Sequence, residues 1–414
     1  MVQTYIDKIN QAFSDEDYQL VYELLQIIKQ EQPNNTWLKS YQDIWVANYL
    51  LNKINETFSE EDYILIPKLL QQLGEEQPEN PWLGFYQARL EETKENLDLA
   101  EEIYKKVLFN TINRQVLSQT RKRLENLVNL KKNKVQEKLQ QALQKVKQEQ
   151  QNQETGLLIL KPIEAELKKN LAQKLAQIMN IDPFTAQLQL PTKNWRLYKV
   201  GDLAELLSYR NTLLDEDIPC FSVKLKELEK IKVYQVKYLQ FINDSELSIV
   251  CQQDNAEETI SFQWQEVSSR VEALLPIFES SLEINNKRQL YRKTKTLDYA
   301  QIIDLHLKSQ NTIIRLTDYQ YKFNQGIEIP KQNKGQTNRE NWNNLQQFLQ
   351  PYLVNTPVVS EFHAFAEKAL DFSEMLKEIK PKINLFRREE SLWDAAFELY
   401  TGLILLQSQI GLTQ

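Results

Sequence analysis

The chain has 414 residues, a formal net charge of −7, 42% hydrophobic and 26% charged residues. That is enough length for two or three domains and enough apolar content for real cores, so global disorder is excluded. Eight glycines, two histidines and two cysteines argue against glycine-rich phosphate loops, a disulfide framework and a zinc site with the usual ligand spacing.

The opening MVQTYIDKIN has neither a basic nor an apolar signal region, so no secretory leader is expected. No run approaches the roughly 18 apolar residues that would span a bilayer. A cytoplasmic protein is the expectation. The first third carries an internal repeat. Tyr18, Leu24, Leu25, Pro33, Trp37 and Tyr41 recur at one constant offset as Tyr63, Leu69, Leu70, Pro78, Trp82 and Tyr86. In a weaker third copy Leu97, Leu99, Ile103 and Tyr104 take the places of Tyr63, Leu65, Leu69 and Leu70. Each copy has an acidic start and an apolar stripe at helical spacing. In the first two a proline stops the helix and a tryptophan opens the next. Gly84 allows that next helix a close crossing. The first spacing exceeds the second by about three helical turns. An insertion around Ala47 to Lys53 therefore lengthens a helix without turning its apolar face. Trp37 and Trp82 are expected at equivalent, buried places. The acids Asp15-Glu16-Asp17 and Glu60-Glu61-Asp62 open helices and complement their dipoles.

Residues 112–152 read as one long helix with a broken apolar stripe through Leu124, Val128, Val135, Leu139, Ala142 and Val146. Charge is uneven along this part of the chain. Residues 1–100 hold 18 acidic and 7 basic residues, a balance of −11, and residues 114–147 hold 10 basic and 2 acidic, a balance of +8. Solvated helix faces explain this, or a basic partner meets the acidic region, or an anionic partner meets the basic helix, or the basic helix neutralises part of the acidic region.

From Gly156 strands appear. LLILKPI is a strand, and Ala165 to Met179 is an amphipathic helix. Asp182 caps a helix that has Pro183 at its first position. WRLYKV, a helix from Asp202 to Leu214, and CFSVKL form a small βαβ unit. Cys220 and Cys251 sit in apolar strand contexts as buried thiols. Residues 233–264 and 287–323 alternate as strands of an antiparallel sheet or partial barrel. Between them EVSSRVEALLPIFESSLEI reads as a short helix with a turn at Pro276. After a polar linker from Lys331 to Arg339, helices are expected over Glu340–Tyr352, Val358–Ile379 and Ser391–Gln407. The last of these has one apolar face, through Trp393, Phe397, Tyr400 and Leu403.

The repeats resemble the tetratricopeptide family, whose period is about 34 residues. Four further segments extend the likeness: IDPFTAQLQLPTKNWRLYK, EVSSRVEALLPIFE, TLDYAQIIDLHL followed by IIRL, and LFRREESLWDAAFELYTGL. With them the whole chain resembles a group of cyanobacterial tetratricopeptide-repeat proteins. That resemblance implies a cytoplasmic protein of this layout and carries over no catalytic residues.

Chemistry-bearing patterns are sparse. Asp304 and His306 would share a strand face, as a base and its orienting carboxylate do. No serine or cysteine nucleophile motif accompanies them. His363 lies in an aromatic helix face. Arg292, Lys293 and Lys295 form a basic stretch that could hold phosphate, and Arg387-Arg388-Glu389-Glu390 reads as surface ion pairing. The expected fold is mainly α with an α+β region. It has tetratricopeptide-like repeats over 1–128, a long basic helix over 129–155, an α+β domain over 156–330 and a helical region over 331–414. The expected function is a non-enzymatic adapter that binds a protein partner through the repeats, with no cofactor, metal or nucleic acid. The alternative is a sensor whose α+β region binds a phosphorylated small molecule or nucleotide.

Overall fold

The structure is a computed structural model. It describes residues 2–31, 36–149, 154–253, 256–284, 289–330, 336–383, 385 and 391–410. At 2–3, 147–149, 253, 256, 280–283, 291–293 and 409–410 it describes the backbone alone. The chain divides into two compact units, Met1–Lys134 and Val135–Gln414.

The first unit is helical. Its helices are α1 (Val2–Ser14), α2 (Tyr18–Glu31), α3 (Leu38–Trp45), α4 (Leu51–Ser59), α5 (Ile66–Glu76), α6 (Pro81–Thr93), α7 (Leu97–Asn110) and the start of α8 (Arg114–Glu149). A π-helical turn, Val46–Leu50, joins α3 to α4 without a break. Neighbours in sequence pack on each other around one core, which includes Ile9, Leu25, Trp45, Ile54, Leu70, Phe85 and Tyr104. The lengthened helix expected around Ala47 to Lys53 is therefore present, but it is not purely α. Val46, Leu50, Ile54 and Phe58 are all buried and recur at every fourth position. On an α-helix each such step drifts about 40° around the axis, and the wider π turn takes up part of that drift. Gly84 is as close to α7 as expected: a Cβ there would lie 2.7 Å from Val107 Cγ2.

Three turns in this unit share one geometry. Glu16, Glu61 and Glu95 take left-handed backbone at φ 57, 59 and 64°. After each, an amide reaches back to the preceding helix: Asp17 to Ala12 at 2.9 Å, Asp62 to Thr57 at 3.2 Å and Asn96 to Glu91 at 3.0 Å. That pattern ends a helix by satisfying its free carbonyls. The glutamates therefore terminate the preceding helix and do not open the next, which corrects the dipole reading. Only the aspartates cap forward: Asp17 Oδ1 accepts from the Leu20 amide at 3.0 Å, and Asp62 Oδ1 from the Leu65 amide at 3.2 Å. The three turns obey the two offsets found in the sequence. Side-chain pairs repeat too: Phe13 stacks on Tyr41 at 6.2 Å and Phe58 on Tyr86 at 5.9 Å. Trp37 and Trp82 are both half-buried, equivalent in place but less enclosed than expected. Along the start of α8 the buried positions are Val116, Thr120 and Leu127, while Val128 is 40% exposed. The stripe there runs one position earlier than expected.

The second unit is built in layers. Its first sheet has order β2-β1-β3, from β1 (Thr155–Leu160), β2 (Arg196–Asp202) and β3 (Cys220–Lys224). Helices α9 (Lys168–Met179), α10 (Pro183–Gln189) and α11 (Leu203–Asp215) accompany it. Asp182 caps α10 through the Thr185 amide at 2.9 Å. The expected βαβ unit is split, because β1 lies between β2 and β3 and is antiparallel to both. The second sheet has order β10-β7-β8-β9-β4-β5-β6. Its strands are β4 (Lys232–Ile242), β5 (Glu246–Gln253), β6 (Ala256–Gln263), β7 (Val267–Ile284), β8 (Leu290–Leu307), β9 (Thr312–Thr317) and β10 (Val358–Val359). It is mixed rather than antiparallel, since β4–β9 and β7–β10 pair in parallel. The segment read as a helix and a turn is strand β7. Val271, Ala273 and Leu275 are buried and Leu274 is 53% exposed, the alternation of a one-faced strand. Pro276 is tolerated because, among the described residues, β7 has only β8 beside it beyond Val271, and an edge strand can spare an N–H. Val358, expected in a helix, lies in β10.

The remaining helices are α12 (Asn338–Leu349), α13 (Phe362–Ala369), α14 (Ser373–Glu378) and α15 (Leu392–Ile410). α12 covers one face of the large sheet through Trp342, Leu345 and Leu349. α13, α14 and α15 share a core with the other face and with the small sheet. α15, expected to bury one face, is buried almost all round from Ala395 to Leu406, Glu398 and Thr401 included. The Asp254-Asn255 turn, most of the Lys331–Arg339 linker, Pro33 and Arg387 to Glu390 lie outside the described residues.

Candidate functional site

The predicted basic stretch is on β8. Lys295 is exposed and lies across from Glu279, Lys293 across from Ser281, and Arg292 across from Leu282. The side chains of Arg292 and Lys293 lie outside the described residues. Cys220 and Cys251 are buried thiols, and burial pushes both up to about 12. The His363 side chain is 58% exposed, rests on Trp393 with ring centroids 4.8 Å apart, and lies 3.5 Å from Glu367.

Asp304 and His306 do share a face of β8, but neighbouring strands and a helix complete the group. Arg315 on β9 is the cross-strand partner of Asp304. Its guanidinium forks onto that carboxylate with two bonds of 2.8 Å, and its Nη1 reaches Glu398 of α15 at 2.8 Å. The Arg315 and Asp304 side chains are fully buried. Burial opposes the charge on Arg315, but Asp304 and then Glu398 outweigh it and hold the guanidinium far above its ordinary range. Thr401 donates to Asp304 Oδ2 at 2.9 Å. Its oxygen is then left to accept from His306 Nε2 at 2.8 Å. That fixes the neutral tautomer, with Nδ1 accepting from Ser269 Oγ at 3.0 Å. Burial, with Arg315 nearby, pushes His306 down to about 3. Both imidazole nitrogens are engaged and the ring is buried, so these residues tie the sheet to α15 from inside. Sequence reading misses Arg315. Its signal is a charged residue inside an otherwise apolar strand, IIRL, matched by another in IIDLHL.

An open pocket of about 350 Å³ lies in the helical unit. Two of the three repeated turns supply Tyr63 and Glu95 to its wall, and α8 supplies Arg123, Leu130 and Lys134. Arg89 on α6 lies over the Phe58 ring, 4.1 Å from its centroid. Burial first, then the neighbouring Arg123, lowers Arg89 from its ordinary value. Among the described residues no hydrogen-bond or ion-pair partner is found for Arg89. Glu92 is committed elsewhere: it accepts from the buried Tyr104 hydroxyl at 2.9 Å and stands 3.6 Å from Arg123. Lys134 pairs with Glu95 at 3.0 Å at the exposed margin. Sequence reading does not single out Arg89 or Arg123, because they lie on different helices, α6 and α8, that only the fold brings together.

Part of the basic helix does neutralise the acidic region. Lys131 bridges Asp98 at 2.5 Å and Glu101 at 2.6 Å. With Arg123 and Lys134, these bridges reach, among the described residues, acids from Glu92 at the end of the second copy to Glu101 in the third. Among the described residues no group of three or more His, Cys, Asp or Glu is placed to hold a metal ion, and no helix is long and apolar enough to cross a membrane. No family model, curated protein or solved structure matches the chain.

Proposed function

We propose that this chain is a non-enzymatic cytoplasmic adapter whose helical unit, a tetratricopeptide-like solenoid, binds a protein partner. The observation that carries this reading is the threefold recurrence of one turn geometry at Glu16, Glu61 and Glu95. A stack of such units displays an extended surface, and binding is what repeat arrays use it for. The acids ahead of Glu92, in the first two copies, keep their negative surplus, since among the described residues the ion pairs from α8 reach only Glu92 and the acids after it. Apolar side chains are also displayed, among them Ile64 at 82% and Phe109 at 90% exposed. A basic segment of a partner fits both features. The resemblance to cyanobacterial repeat proteins agrees with this reading.

The test is capture by cross-linking with the full chain in its own cells, followed by titration of the purified partner at low and high salt. Glu31, Glu60 and Glu79 are exposed acids of the first two copies. Changing all three to lysine should weaken binding at least tenfold at low salt and flatten its salt dependence, because exposed charges act over roughly a Debye length of 8 Å. Binding that ignores both salt and the three reversals would remove this reading.

A further inference from the structure

The pocket at Arg89 has features that protein docking does not require. Two guanidinium groups face one space, and like charges there oppose each other. An arginine that is half-buried with no acid bonded to it is unusual, because a desolvated charge is normally paired, and Glu92 acts on Arg89 only through space. Arg89 has its aromatic support from Phe58 but no oxygen. The one nearby carboxylate on α6, Glu92, already serves Tyr104 and stands beyond hydrogen-bond length from Arg123. The apolar part of the lining is of another kind. Tyr63 and Leu130 are 44% and 46% exposed, and Leu97 lies with them.

We infer that this pocket binds an organic phosphate, with the phosphate between Arg89 and Arg123 and an apolar or aromatic body against Tyr63, Leu97 and Leu130. A carboxylate offers two oxygens and one charge. A phosphate monoester offers three terminal oxygens and close to two charges, which matches two guanidinium forks that otherwise repel. A space of about 350 Å³ accepts a ligand of one ring and a phosphate but not a folded domain. The inference is independent of the adapter reading, because the ligand would bind in the absence of any partner. It also differs from the sensor alternative in place, since that reading puts the phosphate on β8.

The experiment is calorimetric titration of the full chain with phenyl phosphate, inorganic phosphate and benzamide. Phenyl phosphate should bind, inorganic phosphate should bind more weakly, and neutral benzamide should not bind. Arg89→Met should weaken phenyl phosphate at least tenfold, with Arg89→Lys intermediate, because a point charge replaces a fork. Tyr63→Ala should weaken phenyl phosphate several-fold and leave inorganic phosphate unchanged. Both positions are partly exposed, and an unchanged urea midpoint verifies that each variant is folded. If Arg89→Met does not fold, Arg123→Gln carries the same expectation. A phosphotyrosine tetrapeptide distinguishes the sources: tighter binding than phenyl phosphate assigns the group to a partner's side chain, and weaker binding assigns it to a free metabolite. Absence of heat with 10 mM phenyl phosphate (on the order of the weakest useful affinity), or equal binding by the folded Arg89→Met protein, overturns the inference. So does binding lost on replacing Lys295 and kept on replacing Arg89.

Discussion

His306 shows how a single side chain is held to one protonation state. Ser269 donates to one nitrogen and Thr401 accepts from the other, so a second proton would have to turn the Ser269 hydroxyl hydrogen out of its bond. The sign of its pH effect follows. In the unfolded chain a histidine takes up its proton near about pH 6.5, whereas in the folded protein the value is pushed down to about 3. Between these values the unfolded chain holds more protons, so stability falls as pH falls from the upper value toward the lower. The slope approaches about 1.4 kcal/mol per pH unit for one such group. Replacing His306 with Asn should remove that slope, beyond whatever the substitution costs at neutral pH. Urea midpoints of the two proteins at several pH values between 4.5 and 7 measure it, and parallel curves would contradict the account. Arg315 makes the complementary point. A buried ion pair adds little net stability but is costly to break, and the pair is readable in the sequence only as two charges in apolar strands. Sequence spacing can put Asp304 and His306 on one face. It cannot supply Ser269 or Thr401, which come from another strand and from α15.

Among the elements, the repeated turn is half legible. Both offsets are in the sequence, and the turns obey them. The acidic residues obscure which helix they serve, because Glu at a left-handed position has no distinctive side-chain signature. One further signal is present and decides the matter: KIN and FS recur at Lys8-Ile9-Asn10 with Phe13-Ser14 and at Lys53-Ile54-Asn55 with Phe58-Ser59. They show that the repeat begins upstream of the acids. Strand β7 is misread for a different reason. Its run EVSSRVEALL fits helical spacing as well as alternation, and only pairing with β8 decides between them. Gly84 offers a direct test of element packing. Gly84→Ala would press a methyl group onto Val107 at 2.7 Å and should cost about 1–3 kcal/mol, as overpacking does. Val107→Ala should recover part of that loss when combined with it. A double-mutant cycle from urea denaturation measures the coupling, and simple additivity would mean the two helices do not meet there.

Over the whole molecule, length foresees more than one compact unit, and the sequence texture foresees helices before strands. The layering of the second unit is not foreseeable from pattern alone. α15 shows one apolar face in the sequence, yet it lies against both sheets, and no periodicity reports how many neighbours a helix has. Charge is legible in quantity but not in destination. The count of 18 acids against 7 bases in residues 1–100 is plain from the sequence. Which of those acids α8 answers depends on where the third copy meets that helix. On the adapter reading, the salt dependence of binding belongs to the acids ahead of Glu92, where the three reversals lie.

The position of Glu398 and Thr401 on α15 has a consequence for synthesis on the ribosome. The helical unit is made of contacts between neighbours in sequence, so it can assemble while the rest is still being translated. The second unit cannot finish early. Asp304 and Arg315 leave the ribosome well before Glu398 and Thr401, the groups that complete their environment. Until α15 emerges, their strands expose an apolar face and a charge pair without its third member. Nascent chains stalled before residue 392 should therefore yield protease-resistant fragments of the helical unit only, and stalling on a C-terminal linker long enough to bring α15 out of the exit tunnel should protect the remainder in one step. Limited proteolysis of stalled ribosome complexes reads this directly. Protection of β4 to β9 in the shorter chains would show that the sheet closes without its last helix.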